Sequence, residues 1–142
     1  MSDDPFNLAR FVEAQDSGRA YELALAELRD GHKRGHWIWF VFPQIEGLGS
    51  SEMARRYAIS SFAEAAAYLE HPLLGPRLAA AAEALLAQRS RDPEAILGGI
   101  DALKLRSSMT LFAAVHTAAP IFRRVLDEFY DGVRDPATEQ RL

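Results

Sequence analysis

His36-Trp37-Ile38-Trp39-Phe40-Val41-Phe42-Pro43 places bulky apolar side chains on consecutive positions, so neither the strand period nor the helix period can be read from it. Its aromatic and β-branched residues favour a strand. A lone strand would leave its buried amides and carbonyls unpaired, and no other segment reads as a partner strand. A helix pairs its own backbone and is the more economical expectation. Pro43 then ends it, because the residue before a proline is pushed out of helical geometry. The expected fold is all-α, with Trp37–Phe42 as a buried central helix.

Working outward, helix punctuation recurs in both directions. Asp4-Pro5 can cap and open a first helix with Leu8, Phe11 and Val12 on one face. A second is expected from about Gly18 to Asp30, with Tyr21, Ala24, Leu25 and Leu28 on one face and Gly31 beyond its end. Ser61-Phe62-Ala63-Glu64 is a capping-box pattern, and its helix should end near His71-Pro72. Pro76, Asp92-Pro93, Asp101 and Asp135-Pro136 each suit a helix start. A stripe of Ile121, Phe122, Val125, Leu126 and Phe129 predicts another helix, stopping at Gly132. The expectation is one domain over residues 1–142, built of about seven or eight short helices.

Composition excludes several function classes. The chain has 142 residues, 49% of them hydrophobic, which is enough apolar material for a core. It has no cysteine, which removes disulfides, thiolate nucleophiles and thiolate metal sites. No apolar run approaches the roughly 20 residues of a membrane span. The start Met1-Ser2-Asp3-Asp4 is acidic where a signal peptide is basic, so a cytoplasmic protein is expected. A net charge of −4 argues against nucleic-acid binding. The sign is uneven: residues 1–30 are acidic, whereas Lys33, Arg34, Arg55 and Arg56 make a modest basic zone over residues 31–56.

Three runs carry a resemblance. They are Gly35–Gln44 continuing into Gly47-Leu48-Gly49-Ser50-Ser51, then His71-Pro72-Leu73-Leu74-Gly75-Pro76-Arg77-Leu78, then Asp101–Phe112 with its Ser107-Ser108-Met109-Thr110 centre. With Ala14-Gln15 and Tyr21, these closely resemble the bacterial domain-of-unknown-function 1810 family across about residues 4–142. The resemblance implies a mainly helical fold and no established activity. Some relatives carry a calpastatin label, but nothing here resembles an inhibitor segment of that kind. The order of an aromatic segment, a lysine-bearing helix and a tail with Gly132, Asp135 and Thr138 is also faintly similar to ADP-ribose-processing domains of NAD metabolism. That likeness directs attention to nucleotide-sugar ligands.

The residues themselves offer four constellations. Gly47-Leu48-Gly49-Ser50-Ser51 precedes an expected helix, so its glycines, amides and hydroxyls can cradle an anion, with Lys33 and Arg34 as countercharge. The plainer reading is a turn and a serine cap. His32 and His36 stand four apart, but Gly35 lies between them and no third ligand follows, so no metal is expected. His36 beside Trp37 and Trp39 is a candidate acid or base at an aromatic stacking surface, against the plainer reading of core anchors. Lys104 with Ser107 or Ser108 has the spacing of a nucleophile pair, and the same hydroxyls suit close helix packing.

Two functions follow from these residues. The first is a small-ligand domain that binds, or also hydrolyses, a nucleotide or ADP-ribose-like anion. Its catalytic candidates are His36, Lys104 and Ser108; its binding candidates are Lys33, Trp37, Gln44, Gly47, Gly49, Ser50, Ser51 and Ser107. It needs no metal or cofactor, and neither nucleic acid nor membrane is an expected partner. The second is a non-enzymatic interaction or structural domain whose unusual residues specify a core. A concave pocket with His36, Gln44, Lys104 or Ser108 directed into it separates the first from the second.

Overall fold

The computed structural model describes residues 3–142. Its helices are α1 (Ala9–Asp16), α2 (Ala20–Asp30), α3 (Ile38–Val41), α4 (Glu52–Arg56), α5 (Phe62–Glu70), α6 (Leu74–Leu86), α7 (Pro93–Leu97), α8 (Gly99–Ala113), α9 (Ile121–Phe129) and α10 (Pro136–Glu139). The all-α expectation holds, and α3, α4, α7 and α10 are single turns of four or five residues. Among the described residues the β-structure is one isolated parallel bridge, Ile45 to Ile59. Helices α8 and α9, α6 and α9, and α2 and α6 form the main packed pairs, and one continuous apolar core runs between them.

Most helix starts follow their caps. Ser61 accepts the Glu64 amide at 3.1 Å, Asp92 the Glu94 amide at 3.0 Å, and Asp135 the Thr138 amide at 3.1 Å. Asp4 takes the amides of Leu8 and Ala9 at 2.7 and 2.9 Å, capping α1 from one turn ahead. Four boundaries differ from expectation. Pro5 does not open α1, which begins at Ala9 after Asn7 at φ 51°. Helix α2 begins at Ala20, because Gly18 and Arg19 are both left-handed (φ 57° and 59°). Asp101 does not cap α8; it sits in the first turn, and Gly98 occupies the cap position. Pro76 is the third residue of α6, whose leading amides, Leu73 and Leu74, donate to His71 Nδ1 at 3.1 and 3.2 Å. Gly75 follows from close packing: a Cβ there would lie 2.1 Å from the Leu69 carbonyl oxygen.

The aromatic run is the buried helix that its sequence demands, shortened to one turn. Ile38, Phe40, Val41 and Phe42 are buried, and Phe42 leaves helical geometry at φ −125°, ψ 76° ahead of Pro43. One turn cannot satisfy its own carbonyls. Gln15, 2% exposed on α1, closes the gap: its Nε2 donates to the Phe40 carbonyl at 2.7 Å. The same amide group lies 3.3 Å from Tyr68 Oη and accepts from Arg77 at 3.2 Å, tying α1, α3, α5 and α6 together.

Two further contacts fix the loop that delivers this turn. Glu27 Oε1 accepts from the Arg34 amide (2.7 Å), the Gly35 amide (2.9 Å) and Trp37 Nε1 (2.9 Å). Lys33 Nζ pairs with Asp101 at 2.7 Å, donates to the Gly35 carbonyl and lies 5.1 Å from the Trp37 ring centroid. Burial pushes the Glu27 carboxyl up, but the Gly35, Arg34 and Trp37 donors outweigh it and hold the group below its usual 4.5.

Three outcomes follow from this packing. Phe40→Ala should cost about 3–5 kcal/mol in denaturant unfolding, the usual range for truncating a large core aromatic; a loss under about 1 kcal/mol would contradict a central role for α3. Ser108 is fully buried with its hydroxyl unpaired, so Ser108→Ala should be neutral or stabilising by about 1 kcal/mol in the same assay. Because the folded pKa of Glu27 is depressed, the unfolded chain binds its proton first as pH falls, and this stabilisation is lost through and below the usual carboxylate range. Melting temperatures between about pH 6 and 3 should therefore fall more steeply for the wild type than for Glu27→Gln; equal slopes would show that the three donors do not favour the charged form.

Candidate ligand groove

The chain from Gln44 to Ser51 is held as one wall of an open groove. The bridge fixes its start: the Ile59 amide donates to the Gln44 carbonyl and the Glu46 amide to the Ile59 carbonyl, both at 2.8 Å. Its middle is held by Arg141, whose guanidinium donates to the Gly47 carbonyl at 3.3 Å. Its end is the α4 cap, where Ser51 Oγ accepts the Ala54 amide at 3.1 Å. A Cβ on Gly49 would stand 2.8 Å from the Ala54 Cβ, so glycine lets the loop fold back onto α4.

Facing this loop across a cavity of about 510 Å³ is the outer side of α8. Gln44, Gly49, Ser50 and Ser51 line one side, and Lys104 and Ser107 the other. Trp39, Leu48, Ile100 and Leu103 supply the apolar surface. Ile100 and Leu103 are 74% and 63% exposed, on the same helix whose inner side buries Leu105, Met109 and Phe112.

The charges lining the groove are Lys104 and Asp135. Lys104 Nζ lies 4.7 Å from the Trp39 ring centroid and 3.5 Å from Asp101, whose other oxygen holds Lys33. Asp135 is held mainly through one oxygen. Its Oδ2 accepts from the Thr138 amide (3.1 Å) and hydroxyl (2.5 Å) and from Ser107 Oγ (3.0 Å), while Arg106 stands 3.6 Å from Oδ1. Through Oδ2 Asp135 anchors the loop into α10. Lys104 is the basic group that lines the groove, held by the longer of the two Asp101 pairs.

The remaining expected site residues lie elsewhere. His36 is exposed and does not line the groove. Trp37 is 3% exposed with its indole N–H on Glu27, so it is a core anchor with no face for stacking. Lys33 is spent on Asp101 and does not flank the mouth. Gly47, with φ 98°, lines a small void beneath the loop. Ser108 is inside the core, and Ser107 donates to Asp135 or to the Leu103 carbonyl, so no lysine-activated serine is assembled. Among the described residues no group of three or more His, Asp or Glu side chains could hold a metal ion, and no helix is long and apolar enough to cross a membrane.

Asp135, Ile100 and Leu103 are not among the expected site residues. Of the two tryptophans expected as a stacking surface, Trp39 lines the groove and Trp37 is buried. The two exposed apolar residues at i, i+3 on α8 were the available signal.

Comparison with known proteins agrees with this architecture. The crystal structure of the conserved hypothetical protein Rv1873 from Mycobacterium tuberculosis, at 1.38 Å, superposes with a TM-score of 0.94; it is 51% identical, with 98% of each chain covered. No curated protein matches. A family profile described as "Protein of unknown function (DUF1810)" matches residues 5–142, almost the whole chain. The chain therefore belongs to the DUF1810 family.

Proposed function

We propose that this protein binds a small anionic ligand of the nucleotide or nucleotide-sugar class in the groove between the Gln44–Ser51 loop and α8. The carrying observation is the placement of Lys104, held by a long 3.5 Å pair with Asp101, against an aromatic face and a loop of small polar residues. A phosphate would take Lys104 together with the hydroxyl of Ser50. A planar ring would lie on the apolar surface of Trp39, Leu48 and Leu103, with the half-buried Gln44 amide available to its polar edge. The five-residue α4 adds little dipole, so the lysine is the main electrostatic term.

Binding is supported further than hydrolysis. The candidate base His36 is outside the groove, Ser108 is inside the core, and the Asp135 oxygen that Ser107 meets already takes the Thr138 amide and hydroxyl.

Calorimetry and thermal unfolding with ADP-ribose, AMP and ribose 5-phosphate test this reading. A ligand present at about 100 times its Kd should raise stability by about 2.7 kcal/mol. Lys104→Met keeps the aliphatic contact with Trp39 and should weaken binding at least about tenfold, the range of one charge-assisted contact. Ser50→Asp, at an exposed position, should do the same without loss of stability. Absence of any stabilisation by all three ligands, or full affinity in Lys104→Met, would refute the proposal.

A further inference from the structure

A second concavity, of about 740 Å³, lies between the N-terminal turn, α1 and the end of α5. Its floor is apolar, formed by Phe6, Leu8 and Val12 with Ala67 and Leu73. Leu73 is 45% exposed there, one of the few large apolar side chains that solvent reaches. The rim is acidic on three elements: Asp3 and Asp4 in the turn, Glu13 on α1 and Glu70 on α5. Among the described residues no lysine or arginine lines it. His71 lines it too, its Nδ1 accepting the Leu73 and Leu74 amides.

Of the rim acids, Asp4 serves the fold as the α1 cap, whereas Glu13 and Glu70 have no such role among the described residues. Glu70 is the last residue of α5, where a carboxylate faces the negative end of the helix dipole. Neither Glu13 nor Glu70 has an ion-pair partner among the described residues. The backbone amide of Ala9, joined by that of Leu8, holds the Asp4 carboxyl below its usual range despite partial burial, so that side of the rim stays charged.

We propose that this groove docks a basic amphipathic helix of a partner protein. Apolar side chains at i, i+3, i+4 and i+7 of such a helix would fill the floor, and lysines or arginines on its flanks would meet Glu13, Glu70 and Asp3. This surface is separate from the ligand groove: the two share no lining residue.

The test is fluorescence anisotropy of the full chain with three labelled peptides: a Leu/Lys amphipathic helix, its Leu/Glu counterpart and a Lys-rich peptide with no apolar face. The Leu/Lys peptide should bind saturably, and Glu13→Lys/Glu70→Lys should weaken it at least tenfold while gaining affinity for the Leu/Glu peptide. Leu73→Asp should also weaken Leu/Lys binding at least tenfold. Glu46→Lys/Glu83→Lys, an equal charge change at exposed positions outside the groove, should alter binding less than twofold. Circular dichroism confirms that each variant is folded. No saturable binding, equal weakening by the two charge reversals, or equal affinity for the Lys-rich peptide would overturn the proposal.

Discussion

A single turn of helix surrounded by core has more backbone polar groups than it can pair. Helix α3 is that turn, and the Gln15 side chain is what makes its burial tolerable. Without a donor at the Phe40 carbonyl, the aromatic run would carry a buried, unpaired acceptor. Gln15 is itself oriented from both ends, by Arg77 on its oxygen and by Phe40 and Tyr68 around its nitrogen. Arg77 in turn pairs with Asp16 and covers the Tyr21 ring. Ala14-Gln15, Tyr21 and the Arg77 run, scattered in sequence, thus form one connected network around one buried turn.

The same logic of fixed ends governs the polar loops. Arg10 gathers the carbonyls of Phe6, Asn7, Arg56 and Ala58 and the buried Glu64 carboxylate, fastening the α4–α5 connection to α1. Glu64 also takes the Ser60 amide and hydroxyl, so the capping-box glutamate reaches back one residue further than the usual geometry. These contacts place Ile59 against Ile45, and that bridge sets where Gln44 faces. The groove wall therefore inherits its shape from the core rather than from the loop's own preferences.

Much of the fold was legible in the sequence because caps and stripes are local. Ser61, Asp92 and Asp135 each act where their spacing says, and Phe42 leaves the helix where Pro43 requires. The length of α3 was not legible, since nothing local says that Trp37 stops at φ −117°, ψ 0° to give its indole N–H to Glu27. The loop and the Lys104 helix were identifiable as opposite walls from their glycines, hydroxyls and charge. Residue roles within them were not. Lys33 and Lys104 look alike in sequence, yet Asp101 binds one tightly and the other loosely, a difference set by where α8 begins relative to the loop. His36 and Trp37 are adjacent, and a one-turn helix sends one to solvent and the other to the core.

Helix α8 joins these levels. A helix that served only the core would be apolar on one side, with charge on the other. Here the outer side carries Ile100 and Leu103 beside Lys104, while the inner side carries Leu105, Met109, Phe112 and the unpaired Ser108 hydroxyl. Leaving two large aliphatic residues in water gains the fold nothing, since their burial would contribute roughly 1.5–3 kcal/mol each. Their position at the lip of the cavity gives them a use that folding does not. Asp101 and Asp135, which flank this exposed strip, are both fixed by partners: Lys33 from the loop after α2 for one, and Thr138 of α10 and Arg106 of α8 for the other. The groove is thus tied at both ends into contacts that the core fixes, and its exposed apolar strip beside Lys104 is what the proposed ligand reading rests on.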